Sequence, residues 1–334
     1  MIRTLSAAYG AAAAWRRHWY AAHPARRRRL QRPVVSIGNL RVGGSGKTPV
    51  VAHLAALLID EGERPAVLTR GYARRHAPAG VTIVSDGRRM LAGLDRAGDE
   101  PLLLARALPQ VPVLVAADRY AAGRVAETEF GATVHLLDDG FQHLRLERTV
   151  DLLLAGADDL RDRPLPAGRL RESIAAAASA DALLAPAADA AEVERLAGAL
   201  GVATAFRLTR ALGRPRPIAG GPAADVAAAG RRIFAAAGIA RPERFFADLA
   251  AAGWDVAGTM RFRDHHRFTR GDAARMAAAA REAGAALVLT TEKDAVRLEP
   301  HAGAAAAALF AAVPLRVAIE PAAAFRRWLM ERLR

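Results

Sequence analysis

The sequence predicts an α/β fold in which helices cover both faces of a largely parallel sheet, followed by a smaller C-terminal α/β unit. The main observation is a set of apolar runs without alternating polar residues, several of them separated by helical patterns. These runs lie at 33–37, 65–69, 112–116, 133–137, 151–154 and 181–185. Strands that are buried on both faces have this appearance. Ligands of such sheets collect at the carboxyl ends of the strands, so we expect the segments 38–47, 70–75 and 138–143 to share one edge.

The length of 334 residues favours two domains or one large one. A stretch with several prolines and glycines near 206–230 interrupts the pattern of strands and helices and is interpreted as a linker. We therefore predict an N-terminal helix at 1–30, a core at 31–205, this linker, and a second unit at 231–334.

The composition points to an anionic partner. The chain carries 48 basic and 34 acidic residues, and a net charge of +14 favours a nucleotide, a phosphorylated substrate, a phospholipid surface or a nucleic acid. The absence of cysteine excludes disulfides, thiolate metal sites and a cysteine nucleophile. The sequence has no window of about 18 consecutive strongly apolar residues, so we predict no transmembrane span.

Residues 1–30 are predicted to form a basic amphipathic helix. Trp15 and Trp19 lie on its apolar stripe, and residues 26–29 add a run of four arginines. Aromatic rings at headgroup depth beside cations are typical of a helix that lies in a membrane interface. The alternative is a helix packed on its own domain, with the arginines in solvent.

Lysine and asparagine are rare in this chain. Lys47 and Lys293 are the two lysines among 48 basic residues, and Asn39 is the one asparagine. A lysine retained in an Arg-rich chain indicates a place where the planar guanidinium cannot replace a compact ammonium, as at a phosphate.

Lys47 ends a glycine-rich turn between a predicted strand and a predicted helix, which is the arrangement of a phosphate-binding P-loop. The predicted fold is therefore P-loop NTPase-like. We predict nucleotide binding by Arg41, Val42, Gly43, Gly44, Ser45, Gly46, Lys47 and Thr48, with the hydroxyl of Thr48 on Mg²⁺. The alternative is an ordinary glycine-rich turn, since Arg41 stands where the usual signature has glycine.

The apolar run at 133–137 is followed by Asp138 and Asp139. A carboxylate at the end of such a strand holds Mg²⁺ in P-loop enzymes. Successive side chains of an extended chain point to opposite sides, so one carboxylate can serve the metal while the other orients a partner. The alternative is a solvated turn.

Three further motifs have both a structural and a functional interpretation. Asp99 precedes Glu100 and Pro101, a combination that also simply starts a helix well. His265 follows an aspartate and is a candidate acid or base, or else part of a solvated polar turn. Lys293 follows a predicted strand, where a carboxylate or a phosphate would hold it; whether its role is structural or functional stays open.

Nine short motifs follow one another along nearly the whole chain. They are Ser36-Ile37-Gly38-Asn39, Gly43-Gly44-Ser45-Gly46-Lys47-Thr48-Pro49, Arg70-Gly71-Tyr72, Gly98-Asp99-Glu100-Pro101, Asp118-Arg119, Asp138-Asp139-Gly140-Phe141-Gln142-His143, Leu165-Pro166-Ala167-Gly168-Arg169-Leu170-Arg171-Glu172, Asp264-His265-His266 and Thr291-Glu292-Lys293-Asp294. In this order they resemble the tetraacyldisaccharide 4′-kinases of lipid A biosynthesis.

The resemblance implies a P-loop kinase that uses ATP and Mg²⁺. Its reaction would move the γ-phosphoryl group to the 4′-hydroxyl of tetraacyldisaccharide 1-phosphate and give lipid IVA. The enzyme would act as a peripheral protein at the cytoplasmic face of the inner membrane, with the N-terminal helix as its membrane-associating segment. We expect a monomer that binds no nucleic acid.

The resemblance also implies roles for individual residues. Asp99 corresponds to the family's catalytic carboxylate, and His265 to the histidine paired with it. Asp138, Asp139 and Glu172 fall where the family has its Mg²⁺ and active-site carboxylates. The residues assigned to the sugar-phosphate side are Asn39, Arg119, Gln142 and Arg171.

Two other functions compete with this interpretation. A P-loop GTPase or metallochaperone-type NTPase would act without a lipid substrate, but the single asparagine excludes the usual Asn-Lys-x-Asp motif for guanine, which residues 291–294 only mimic. A nucleic-acid-binding protein would use the positive charge. The basic residues are spread along the chain, however, and aromatic residues make up only 5%.

Overall fold

A computed structural model of the chain describes residues 1–43, 46–72, 74–76, 78–218, 231–302 and 309–334. The helices of this described part are α1 Ile2–Ala22, α2 Lys47–Asp60, α3 Leu94–Ala97, α4 Asp99–Ala107, α5 Arg119–Phe130, α6 Ala157–Leu160, α7 Ala190–Leu200, α8 Pro242–Ala251, α9 Arg270–Glu282, α10 Glu292–Leu298 and α11 Ala322–Leu333. Its strands are β1 Val34–Asn39, β2 Pro65–Thr69, β3 Thr82–Asp86, β4 Pro112–Val115, β5 Val134–Asp138, β6 Val150–Leu154, β7 Ala182–Ala185, β8 Ala205–Leu212, β9 Arg216–Pro217, β10 Arg232–Ala237, β11 Asp255–Arg261, β12 Leu287–Thr291, β13 Phe310–Val313 and β14 Leu315–Glu320.

The larger sheet has the strand order β14-β8-β7-β6-β1-β5-β2-β4-β3 within the described residues. Its seven inner strands are parallel, and β3 and β14 add one antiparallel strand at each edge. Strand β1 lies at the centre, with Ser36 opposite Leu137 of β5 and Asp151 of β6. The predicted α/β fold with a largely parallel sheet is therefore confirmed.

Helices cover both faces of this sheet. Successive strand residues point to opposite faces, so Val35 packs under one helical layer and Val34 under the other. One layer contains α2, α4 and α11, and the other contains α5 and α7. Leu54 of α2 is fully buried, and truncating such a side chain to alanine typically costs about 2–5 kcal/mol.

Within the described residues, the smaller sheet has the order β11-β10-β12-β13-β9, in which β9 is a short antiparallel edge strand and the other four strands are parallel. Helix α8 packs on one face through Phe245, Phe246 and Leu249. Helices α9 and α10 pack on the other face, where Met276 and Leu298 are buried.

Strand β14 belongs to the larger sheet, and helix α11 packs on that sheet. The sequence analysis placed both in the C-terminal unit. Strand β14 pairs with β8 along its whole length, from Leu315 opposite Leu212 to Glu320 opposite Arg207. Phe325 of α11 is buried in the core of the larger sheet. A half-exposed edge strand carries little sequence information about its partner, which explains the difference.

The predicted linker at 206–230 is only partly described. Residues 206–212 belong to β8, and 216–217 form β9. Residues 219–230 lie outside the described residues.

Candidate active site

The glycine-rich turn joins β1 to α2 at the carboxyl edge of the larger sheet, as the motif predicts. Gly46 has φ of +82° at the N-terminus of α2, a conformation that glycine adopts without strain. The ammonium of Lys47 lies 2.9 Å from Asn39 Oδ1 and 3.2 Å from Asp139 Oδ1. Two of the predicted nucleotide-binding residues, Gly44 and Ser45, lie outside the described residues.

The remaining turn residues differ in what they offer a ligand. The backbone amide of Val42 donates to Arg169 O at 2.8 Å, which anchors the entrance of the turn to the segment 169–171. Gly43 has φ of +98°. Thr48 lies half-buried in the first turn of α2.

Arg41 directs its buried side chain into an acidic cluster. Its Nε lies 2.5 Å from Asp159 Oδ1, an ion pair rather than an aligned hydrogen bond, and Nη2 lies 3.6 Å from Asp162 Oδ2. Asp158 lies 3.9 Å away. The charge of Arg41 is thus largely neutralised by neighbouring carboxylates, which leaves its backbone as the part suited to a nucleotide.

Asp138 ends β5, and its buried carboxylate has one oxygen that could still accept a hydrogen bond or bind a cation. Its Oδ2 accepts from Thr69 Oγ1 at 3.3 Å, whereas its Oδ1 has no hydrogen-bond partner among the described residues. Burial, with the charges of Glu100 and Asp139, raises the pKa of Asp138 to about 7. A buried oxygen without a partner, at the edge where the P-loop begins a helix, fits a Mg²⁺ ligand.

Asp139 faces the cations. Burial alone would raise its pKa, but Lys47 and Arg171 outweigh that effect and leave the pKa lowered. Arg171 Nη1 donates to both carboxylate oxygens at 2.8 Å. The residue has φ of +54°, and His265 is the other non-glycine residue with positive φ in the described part of the chain. Such strained conformations concentrate at functional sites.

The pair of Asp99 and His265 connects the unit built on the larger sheet with the unit built on the smaller sheet. Asp99 opens α4 on the larger unit, His265 lies between β11 and α9 on the smaller one, and His265 Nδ1 is 2.9 Å from Asp99 Oδ2. Burial would raise the pKa of Asp99, but the hydrogen bond from His265 and the charges of Lys293 and Arg297 lower it. An ionised, 4% exposed carboxylate therefore sits beside the imidazole.

Backbone and aromatic contacts fix this pair. Gly98 has φ of +87°, and a Cβ there would lie 2.7 Å from Tyr72 O, so only glycine permits the close approach. The ring of Tyr72 meets the ring of His265 edge-on at 5.5 Å. Arg297 donates to Gly238 O at 3.0 Å and to His266 O at 3.3 Å, which holds the histidine loop against the smaller sheet.

Three of the four residues predicted for the sugar-phosphate side are joined by hydrogen bonds. Gln142 Nε2 donates to Asn39 O at 3.0 Å, and its Oε1 accepts from Arg171 Nη1 at 3.2 Å. Arg119 is buried and donates to Ala117 O, while its Nε lacks a hydrogen-bond partner among the described residues. Burial and the charge of Arg70 lower the pKa of Arg119 to about 10.

Glu172 has a partner that the sequence analysis did not identify. Arg17 of α1 donates to both of its carboxylate oxygens, at 2.7 and 2.8 Å. The structure therefore ties this carboxylate to the N-terminal helix. Arg17 and Arg297 escape sequence reasoning because nearly all basic residues of the chain are arginines, so no single one stands out.

Helix α1 is both packed and exposed. Ser6 and Gly10 are buried, and Ser6 Oγ donates to Pro164 O at 2.6 Å. Trp15 is 68% exposed, whereas Trp19 is half-buried and stacks on His23 at 4.9 Å. In the part of the chain that the structure describes, every helix is too short or too polar to span a bilayer.

A cavity of about 520 Å³ extends from the start of α2 toward the smaller unit. Thr48 and Pro49 line one side, and Glu292 and Arg316 line the other. The cavity thus begins beside the residues predicted to hold phosphates.

Comparison with known proteins places the chain in a family. A family model described as Tetraacyldisaccharide-1-P 4′-kinase matches residues 1–334. The chain belongs to the tetraacyldisaccharide-1-P 4′-kinase family. The family resemblance stated from the nine motifs is therefore confirmed.

Individual members of the family match over most of their length. A tetraacyldisaccharide 4′-kinase of Geobacter metallireducens is 42% identical over 304 residues, which cover 90% of this chain and 88% of that protein. One of Syntrophus aciditrophicus is 38% identical over 326 residues, covering 92% and 85%. A crystal structure of LpxK from Aquifex aeolicus in complex with ATP is 31% identical, with a TM-score of 0.79 and coverage of 99% and 98%.

Proposed function

We propose that this chain is an ATP-dependent phosphotransferase that transfers the γ-phosphoryl group to the 4′-hydroxyl of tetraacyldisaccharide 1-phosphate, giving lipid IVA. The observation that carries the proposal is the Asp99–His265 pair, held at 2.9 Å where the two units meet. It would supply an acceptor for a hydroxyl proton, and the charge of the neighbouring Glu100 acts on Asp138 at the end of β5. Family membership favours this function over a GTPase or metallochaperone-like NTPase.

The phosphate end of ATP would lie against the turn. The N-terminus of helix α2 points there, and the positive end of the helix dipole attracts anions. Lys47 adds a compact positive charge, which Asn39 and Asp139 hold in place until phosphate competes for it. The adenosine end would enter the cavity beside Thr48 and Pro49.

Mg²⁺ would be held by Asp138 and Thr48, and when bound it neutralises charge on the phosphate oxygens. The partnerless buried oxygen of Asp138 supports this assignment. We assign Asp139 chiefly to orienting Lys47 and Arg171, and Glu172 to holding Arg17, because those contacts occupy their oxygens.

The acceptor hydroxyl would approach Asp99. Phosphoryl transfer depends on alignment and charge neutralisation more than on covalent help from the protein. His265 and Arg297 keep the Asp99 carboxylate ionised and oriented. Asn39, Gln142, Arg119 and Arg171 offer amide and guanidinium groups for the phosphorylated sugar.

The lipid chains would stay at the membrane. The exposed side chains of Ile2, Leu5, Tyr9 and Trp15 are suited to an interface, with arginines for anionic headgroups. We propose that the protein binds the cytoplasmic face of the inner membrane peripherally, as a monomer.

Transfer of radiolabelled γ-phosphate to tetraacyldisaccharide 1-phosphate in detergent tests the function. We expect a labelled lipid product that requires both Mg²⁺ and the lipid. ATP turnover that RNA or DNA stimulates and the lipid does not would reject the proposal.

A further inference from the structure

We infer that Lys293 is a positioning residue that occupies Nε2 of His265, keeps the proton on Nδ1 together with Asp99, and so leaves Asp99, rather than the histidine, to accept the proton of the acceptor hydroxyl. The inference deepens the proposed function and rests on it. It gives a role to the second of the two lysines, which the sequence left undecided.

Lys293 lies in the first turn of α10 and reaches the junction of the two units. Its ammonium is 3.1 Å from Glu100 Oε1, 3.3 Å from His265 Nε2 and 4.0 Å from Asp99 Oδ2. The side chain is 17% exposed. Burial would lower its pKa, but the carboxylates of Glu100, Asp99 and Asp264 raise it, so the group is a cation.

The contacts decide the tautomer of the imidazole. A neutral imidazole donates from one nitrogen and accepts at the other. Nδ1 faces the Asp99 carboxylate, which only accepts, and Nε2 faces the Lys293 ammonium, which only donates. The opposite tautomer would set a lone pair against the carboxylate and an N–H against the ammonium.

Other charged groups around the ring do not change this assignment. Asp264 Oδ1 is 3.9 Å from Nε2, beyond hydrogen-bond distance. Arg297 Nε lies 3.7 Å from Asp99 Oδ2 and reinforces the ionised carboxylate. The ring of Tyr72 packs edge-on against the imidazole, with 5.5 Å between the ring centroids.

The tautomer determines which group acts as the base. Because Lys293 occupies Nε2 and Nδ1 already carries a proton, His265 has no free lone pair. Asp99 Oδ1 accepts only the Glu100 amide at 3.0 Å among the described residues and retains a lone pair. The hydroxyl O–H bond therefore breaks toward Asp99 Oδ1 while its oxygen bonds the γ-phosphorus and the bond to the ADP oxygen breaks.

Arginine would not serve at this position. The single nitrogen of Lys293 faces Glu100, His265 and Asp99 in three directions. A guanidinium instead spreads its donors over a planar fork. This explains why a lysine persists here in a chain whose basic residues are nearly all arginines.

Imidazole ¹⁵N chemical shifts of the full-length protein test the inference directly. The His265 signals are assigned by their loss in His265→Gln. We expect the Nδ1–H tautomer in the unaltered protein, and in Lys293→Met an Nε2 signal shifted toward the value of an imidazole nitrogen that accepts no hydrogen bond from a cation. An Nε2–H tautomer in the unaltered protein, or an unchanged Nε2 chemical shift in a folded Lys293→Met, would overturn the inference.

Kinetics provide the second test. Lys293→Met should lower kcat at least ~10-fold, less than the ~10²-fold or more expected for loss of the base itself, with the KM for ATP within about twofold of the unaltered value. Lys293→Arg should not restore kcat. Full activity of Lys293→Arg, or a change in KM alone, would contradict the role. The ¹⁵N measurement needs no lipid, so a failure of the proposed lipid reaction remains distinguishable.

Discussion

Arg17 and Glu172 form a two-pronged ion pair that ties the N-terminal helix to the carboxyl edge of the larger sheet. The guanidinium also donates to Phe141 O at 3.1 Å and lies 4.3 Å from the centre of the Phe141 ring. Phe141 follows Asp139 by two residues, and Glu172 follows Arg171 directly. The helix proposed to meet the membrane is thus joined to the segments that carry Asp139 and Arg171.

Replacing Arg17 by alanine should destabilise the protein, because it leaves Glu172 as a buried carboxylate without its partner. Loss of one member of a buried pair typically costs about 3 kcal/mol or more in the free energy of unfolding. We expect Arg17→Ala with Glu172→Gln to recover part of that loss. Urea unfolding measures both, with Arg3→Ala, an exposed arginine on the same helix, as control. Equal stability of the Arg17 and Arg3 variants would contradict the account.

Lys47 is predicted to need its compact ammonium. Lys47→Met should lower kcat about 10²-fold, the effect typical of losing one donor to a developing anion. Lys47→Arg should not restore it, because the planar fork does not match a position between Asn39 and Asp139. Phosphoryl transfer assays with all three proteins decide the point; wild-type activity of Lys47→Arg would show that charge alone suffices.

Gly98 should resist substitution. Gly98→Ala would put Cβ 2.7 Å from Tyr72 O at φ of +87°, and such strain costs about 1–3 kcal/mol. We also expect lower kcat, since Asp99 is the next residue. The matched control is Gly93→Ala, where φ is −85° and a Cβ would meet nothing within 4 Å. Equal urea midpoints for the two variants would refute the steric argument.

His143 should contribute to acid sensitivity. Burial and the charges of Arg119 and Arg148 lower its pKa to about 4, against 6.5 as the ordinary value. Below pH 6.5 the imidazole of His143 is protonated in the unfolded chain but stays neutral in the folded protein. The free energy of unfolding therefore decreases as the pH drops from 6.5 toward 4. The loss is at most about 1.4 kcal/mol per pH unit.

Thermal unfolding of His143→Gln at several pH values tests this effect. The Tm of the variant should fall less between pH 7 and pH 5 than that of the unaltered protein. Parallel curves for the two proteins would show that His143 does not titrate in this way.

The sequence predicts the inner strands well because burial on both faces leaves an unmistakable apolar run, as in β1 and β5. It also predicts the position of Lys47 and Asp138, since both follow such runs at the carboxyl edge. Strand β14 is harder, because alternating half-exposed residues at a sheet edge do not reveal which sheet they join.

Long-range side-chain partners are the other gap. The ion pair of Arg17 with Glu172 spans 155 positions, and that of His265 with Asp99 spans 166. No local sequence pattern links residues that are so far apart in the chain. The family resemblance predicts the pair of Asp99 and His265. The pair of Arg17 and Glu172 involves one arginine among many, so only the folded structure identifies it.

The measurement that bears most directly on the account is the rate of γ-phosphoryl transfer to tetraacyldisaccharide 1-phosphate by Asp99→Asn and Asp99→Ala. We predict that both Asp99 variants lose ~10²-fold or more in kcat, the range of general-base catalysis, while their affinity for the nucleotide is nearly unchanged. The control is Asp95→Asn, which alters an exposed carboxylate on the preceding helix and should leave kcat near the unaltered value. Wild-type kcat in either Asp99 variant would contradict the assignment of Asp99 as the proton acceptor.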